Sequence, residues 1–299
     1  TKAALSSSYL VGKKDKIAAD KAAVDSMRSE LNKMNIRGEI VIGEGELDEA
    51  PMLYIGEKLG TGKGLSLDIA VDPVEGTNFV ANNLPGGLSV IAVAEKNNLF
   101  NAPETYMEKI AFGADIPKYA IDLDFPVEKN IKNLADSSNK KITDLTVCLL
   151  DRPRHKEIIQ ILKKLKVNLK LITDGDVSGA LLVSSKKYNV DLFLGVGGGP
   201  EGVLAASALD AFGCNFQGRF LFNKEKDKDR AKKMGITDFD KKYEINEIVS
   251  GDSIFCATGI TSGDLVSGIE IENDYFTSET LITHKSTGLK RIIQKKQKI

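Results

Sequence analysis

The sequence predicts an α/β fold, and three observations carry that reading. Residues 65–72 alternate apolar and polar side chains with the period of a strand. Apolar residues recur at helical spacing over residues 14–34. From about residue 145 to residue 213, strand and helix signals take turns, the pattern of a sheet with helices on its faces.

Ile17, Val24, Met27, Leu31 and Met34 stand at spacings of seven, three, four and three, which predicts a helix over 14–34. Asp20 lies three after Ile17 and four before Val24, on that apolar face. A carboxylate there is costly unless a cation or donor meets it; the alternative is a rim position reaching water. Residues 38–43, GEIVIG, predict a short strand. The acids Glu44, Glu46, Asp48 and Glu49 follow within six positions. Asp48 suits an N-cap, and Glu49 with Pro51 suits the first turn of a helix over 49–59. Glu44 stands apart, between Gly43 and Gly45 at a strand end, and is a candidate ligand.

In DIAVDPVEGTN, residues 68–78, the strand of 65–72 is expected to stop at Pro73, which has no backbone donor. Asp72, Glu75 and Thr77 crowd its end, with Gly76 free to turn. Two hard carboxylates beside a hydroxyl suit Mg²⁺ or Mn²⁺ rather than zinc, as at the metal end of a phosphatase site. The alternative is a strand-to-helix turn capped by Glu75 or Thr77. A short helix at 76–83 and a central strand at 88–94, LSVIAVA, come next. Tyr106 falls in a loop-rich stretch, 99–113, where packing is its commoner role.

A polar helix and linker over 126–140 places the domain boundary near residue 140, giving domains of 1–140 and 141–299. Beyond it come strands at 145–150, 168–173 and 190–196 and helices near 154–165 and 200–213. Arg152 and Arg154 follow the first of these strands and can grip a phosphate or form surface ion pairs. Asp174-Gly175-Asp176 follows the second, apt for sugar hydroxyls or for capping the next helix. GVGGGPEG, 195–202, follows the third as a glycine-rich loop opening a helix. Residues 225–234 predict a solvated helix or loop, 245–290 several short strands, and KRIIQKKQKI at the end a solvated tail.

The bulk numbers exclude several classes. With 41 basic and 42 acidic residues among 299, no global field attracts nucleic acid or an anionic membrane. No apolar run approaches the ~20 residues of a membrane span. No signal peptide is visible, though the chain opens on Thr1 and native residues can precede it. Cys148, Cys214 and Cys256 are widely spaced and read as core residues of a reducing compartment, the cytoplasm. His155 and His284 are the only histidines, and neither lies in a nucleophile motif. Gly197, Gly199 and Gly202 satisfy GxGxxG, but a free Glu201 carboxylate in the turn would repel a pyrophosphate. Glu201 makes better sense with a cation beside it.

DxAVDPxEGT, GEGExDEAPMLYIGEK, the KxxAD helix, RPRH, DGDV, GGxPEGV and ATGITxGDL occur in this order from about residue 14 to residue 283. The chain thereby resembles the class II fructose-1,6-bisphosphatases and, more distantly, the lithium-sensitive sugar phosphatases. The resemblance implies a layered αβαβα fold with two mixed sheets between helices. It implies metal ligands at Asp20, Glu44, Asp72, Glu75 and Glu201, holding two or three Mn²⁺ or Mg²⁺ ions. It implies substrate contacts at Glu75, Gly76, Thr77, Tyr106, Arg152, Arg154, Asp174, Gly175, Asp176 and Gly198, with Thr77 and Glu44 catalytic. The expected reaction removes the 1-phosphate of fructose 1,6-bisphosphate in gluconeogenesis. Sedoheptulose 1,7-bisphosphate or an inositol phosphate is the alternative substrate, and a non-catalytic sugar-phosphate sensor the alternative class. By analogy with such enzymes, a homo-oligomer, dimer or tetramer, is expected.

Overall fold

A computed structural model describes residues 1–43 and 52–299. They fall into two units: Thr1–Asn101 with Ile248–Ile299, and Ala102–Glu247. Residue 140, where the sequence suggests a boundary, lies inside the second unit, and the last fifty or so residues return to the first.

The first unit opens with α1 (Lys2–Ser8) and α2 (Lys16–Asn32). Asp15 caps α2, its carboxylate accepting the Ala18 N–H at 2.9 Å. Ala19, Ala23, Val24, Met27 and Leu31 form the buried face of α2. Ile17 and Met34, expected on that face, are exposed, because small alanines inside the helix carry the packing instead. Strand β1 (Ile36–Ile42) pairs with β2 (Lys58–Leu59) and with β3 (Leu65–Glu75); α3 (Thr77–Ala81) and β4 (Leu88–Glu95) follow. The helix expected over 49–59 is absent from residues 52–59. There the backbone turns back to β1, Gly56 N–H reaching Ile40 O at 2.8 Å, and Gly56 and Gly60 take φ of +93° and +94°, outside the helical region.

The second unit holds β5 (Tyr106–Phe112), α4 (Val127–Ser138), β6 (Thr146–Leu150), α5 (Lys156–Lys164), β7 (Asn168–Ile172), α6 (Asp176–Leu181), β8 (Leu192–Gly198), α7 (Gly199–Phe212), β9 (Asn215–Leu221), α8 (Glu225–Lys233) and β10 (Lys242–Glu244). After α9 (Ile245–Ile248) the chain rejoins the first unit with β11 (Ser253–Gly259), β12 (Glu270–Glu272), β13 (Tyr275–His284) and β14 (Leu289–Lys298). The expected basic tail is thus β14, paired along all of β13. Its lysines and arginine leave the strand exposed, which suits an edge that must not pair with other chains.

Both sheets are mixed, as the family resemblance implies. The first runs β12-β13-β11-β4-β3-β1-β2 with β14 on β13; only β1 and β3 are parallel. The second runs β10-β9-β5-β8-β6-β7, with β6 parallel to both β7 and β8. The α2 face closes one core over Ile40, Ile69 and Val71. Ile131 and Leu134 of α4 and Leu162 of α5 close another over Val147, Leu149, Leu192 and Leu194. Emptying one such leucine to alanine costs about 2–5 kcal/mol. Among the described residues, no helix is long and apolar enough to cross a membrane.

Candidate active site

Strand β3 does not stop at Pro73. It continues to Glu75, and the missing proline donor is absorbed in a bulge: three steps from Asp72 to Glu75 face two from Val90 to Leu88. The bulge bends the strand just where its acids lie. Asp72 folds its carboxylate over the bulge and accepts the Val74 N–H at 3.1 Å. Glu75 is buried. Gly76 takes φ +78° and ψ +52°, and an added Cβ there would fall 2.7 Å from the Phe79 ring, so glycine is required twice over. Thr77 then begins α3, a helix of five residues, half-buried at the end of the strand. Asp20 is half-buried on α2, three and four residues before Ala23 and Val24 of its buried face. Glu44, with Glu46, Asp48 and Glu49, lies outside the described residues.

The second unit gathers the remaining candidates by register. Strand β5 is antiparallel to β8, placing Tyr106 opposite Gly198. The C-terminal ends of β6, β7 and β8 and the start of β5 therefore share one edge of the sheet. Arg152 and Arg154 follow β6, Asp174, Gly175 and Asp176 follow β7, and Glu201 follows β8. Such an edge, at the carboxyl ends of parallel strands, is where ligands of open α/β sheets bind. Tyr106 is the first residue of β5 rather than part of a loop, and it is half exposed. The Arg154 guanidinium lies 4.8 Å from its ring centroid, and Arg154 Nε donates to Val196 O at 2.8 Å. Arg152 lies 3.8 Å from Asp174 Oδ1.

The glycine-rich loop is not a loop. Strand β8 runs straight into α7 at Gly199, so the GxGxxG spacing carries no phosphate-binding turn. Its glycines permit close approach: an added Cβ would strike the Asp176 carboxylate at Gly197, the Glu201 carboxylate at Gly198 and the Met107 sulfur at Gly202. Glu201 sits in the first turn of α7. Burial raises its proton affinity, Lys109 works against that rise, and Asp176 and Asp174 add to it.

Two residues of this edge escaped the sequence reading. His155 is fully buried. Its Nε2 accepts the Val196 N–H at 2.7 Å, so Nδ1 carries the proton and donates to Leu150 O at 2.7 Å. It ties the end of β6 to the end of β8. Lys109 is 1% exposed, and its ammonium contacts Asp176 Oδ2. The available signal was a lysine at an inward position of β5, between Met107 and Ala111, the same anomaly that marked Asp20.

A model of the family described as bacterial fructose-1,6-bisphosphatase, glpX-encoded, matches residues 1–297. The chain belongs to that family. It is 43% identical over 305 residues to the fructose-1,6-bisphosphatase 1 class 2 of Escherichia coli K12, covering 97% of this chain and 90% of that protein. It is 41% identical over 294 residues to the D-fructose 1,6-bisphosphatase class 2/sedoheptulose 1,7-bisphosphatase of Prochlorococcus marinus strain AS9601, covering 94% and 88%. A protein of the same description from Synechococcus sp. strain JA-3-3Ab is 39% identical over 316 residues, covering 97% and 91%.

Phosphatases of this family generally depend on divalent metal ions. Among the described residues no three His, Cys, Asp or Glu side chains converge on one point. The chemistry of the described candidates nevertheless fits a hard divalent cation: Asp72, Glu75 and Glu201 offer only carboxylate oxygens. The half-buried Glu201 carboxylate, held against Gly198, is the kind of group a bound cation relieves.

Proposed function

We propose that the chain hydrolyses the 1-phosphate of fructose 1,6-bisphosphate, giving fructose 6-phosphate and phosphate. The observation that supports this most is the single edge of the second sheet, where two arginines follow β6, two aspartates follow β7 and a tyrosine opens β5. Arginine suits the phosphate that remains, and paired acceptors suit sugar hydroxyls. Arg152 and Arg154 bind the distal phosphate, with Tyr106 beneath the Arg154 guanidinium. Asp174, Gly175 and Asp176 receive the sugar hydroxyls, and Gly198 offers a backbone contact. Glu75, Gly76 and Thr77 meet the scissile phosphate.

Asp20, Glu44, Asp72, Glu75 and Glu201 are the residues that would hold Mg²⁺ or Mn²⁺. When bound, such ions lower the pKa of water and neutralise phosphoryl charge. Thr77 orients the attacking water, and Glu44 helps to take its proton. No histidine is required: His155 has both ring nitrogens committed to backbone groups. The three free, widely spaced cysteines support a cytoplasmic location, and dimers or tetramers follow by analogy.

The test is phosphate release from fructose 1,6-bisphosphate, sedoheptulose 1,7-bisphosphate and inositol 1-phosphate in parallel, with Mg²⁺ or Mn²⁺ and with chelator. Turnover of the fructose ester that chelator abolishes and Mn²⁺ or Mg²⁺ restores is expected. No release from any substrate would favour a sensor. Sedoheptulose 1,7-bisphosphate is kept as a second substrate because two of the compared relatives carry both activities in their descriptions.

A further inference from the structure

A buried lysine in the second unit has no place in the mechanism above. Lys109 projects from β5 on the same face as Met107, the face that packs against Gly202 of α7. It is among the largest fully buried side chains of the described residues. An ammonium is kept in such a place only when anions meet it. Lys109 has two within its field, and both lie in the first turns of helices: Asp176 opens α6 and Glu201 stands in the first turn of α7. Contact is made with Asp176, at Oδ2. The same oxygen lies against the Cα of Gly197, where any larger residue would displace it. The Asp176 carboxylate is thus held on one side by a cation and on another by backbone. Its residual exposure is 8%.

We propose that Lys109 is a positioning residue for the sugar end of the substrate. Its ammonium anchors Asp176 Oδ2 and so presents Oδ1 in one orientation to a sugar hydroxyl. This rests on the substrate reading above, in which Asp176 receives that hydroxyl. A buried ion pair anchored at one oxygen freezes the carboxylate's rotation, so orientation is settled before the sugar arrives. The role acts on sugar recognition and not on phosphoryl chemistry. A substrate with no sugar hydroxyls should therefore be indifferent to it.

The experiment uses the full chain with Mn²⁺. Wild type, Lys109→Met and Lys109→Arg are assayed on fructose 1,6-bisphosphate and on p-nitrophenyl phosphate, and fructose 6-phosphate affinity is measured by calorimetry. Lys109→Met should raise KM for the bisphosphate tenfold or more and weaken fructose 6-phosphate binding by a similar factor. Its kcat/KM on p-nitrophenyl phosphate should stay within threefold of wild type. Lys109→Arg, which keeps the charge, should recover part of the lost affinity. An unchanged KM and sugar-phosphate affinity in Lys109→Met, or equal losses on both substrates, would overturn the proposal. If Lys109→Met does not fold, Lys109→Arg carries the same test: its displaced charge should raise KM on the bisphosphate alone, and equal effects on both substrates would reject the role. Wild-type protein that cleaves p-nitrophenyl phosphate but not fructose 1,6-bisphosphate would sink the substrate reading instead, independently of either variant.

Discussion

His155 offers the sharpest test of how the second unit is held together. Replacement by leucine removes two buried hydrogen bonds. The Leu150 carbonyl keeps a bond from the Arg152 N–H at 3.0 Å, so its loss is small, about 0.5–1.5 kcal/mol. The Val196 N–H loses the acceptor that now meets it at 2.7 Å, at about 1–3 kcal/mol. The sum is about 1.5–4.5 kcal/mol, read by urea unfolding at pH 7.5. Acid supplies a second handle. Burial lowers the His155 pKa below its ordinary 6.5, and the neighbouring Arg154 charge lowers it further against the raising effect of the Leu150 bond. The unfolded chain then takes up this proton at a higher pH than the folded one. Stability from His155 is complete above pH 6.5, falls as pH drops below 6.5, and levels off below the folded-state pKa. The slope is at most about 1.4 kcal/mol per pH unit. His155→Leu should lose this part of the pH dependence. A variant as stable as wild type, or one with the same slope between pH 7 and pH 5, would refute the reasoning.

Three further outcomes follow from the site. Thr77→Ala should lower kcat about 10²–10⁴-fold with KM little changed, since Thr77 is asked to act on the attacking water and not to bind sugar; near-normal turnover would remove it from the mechanism. Arg154→Ala should raise KM about 10–100-fold, the worth of one charge-assisted contact, and an unchanged KM would reject the distal-phosphate role. Lys242→Met should cost no more than about 1 kcal/mol, because its bonds to Asp122 and Asp124 lie at a solvated surface. Hydrogen bonds from Lys242 and Arg219 hold Asp124 at about 2, so its contribution is present above its ordinary 3.8 and is lost as pH falls toward 2. Equal acid unfolding curves for wild type and Lys242→Met would show that the pair contributes nothing.

Local chemistry made much of this protein legible in its sequence. Period-2 and period-3.6 patterns located α2, β3, β4 and most elements from β6 to α7, because each buries a face of its own. The order of acidic and glycine motifs by itself points to the family. What the sequence alone could not decide depends on partners distant in the chain. Pro73 looks like a strand end, yet pairing with β4 carries β3 past it as a bulge. The C-terminal basic run looks like a tail, yet β13 offers it ten partners and makes it a strand. Ile17 fits the helical spacing but is left exposed, since only tertiary packing chooses which side of an amphipathic helix is buried. Arg154, Tyr106 and Gly198 are far apart in sequence and become neighbours through the antiparallel register of β5 and β8. Lys109 and Asp176 likewise meet only in the fold, where loss of water makes each charge require the other.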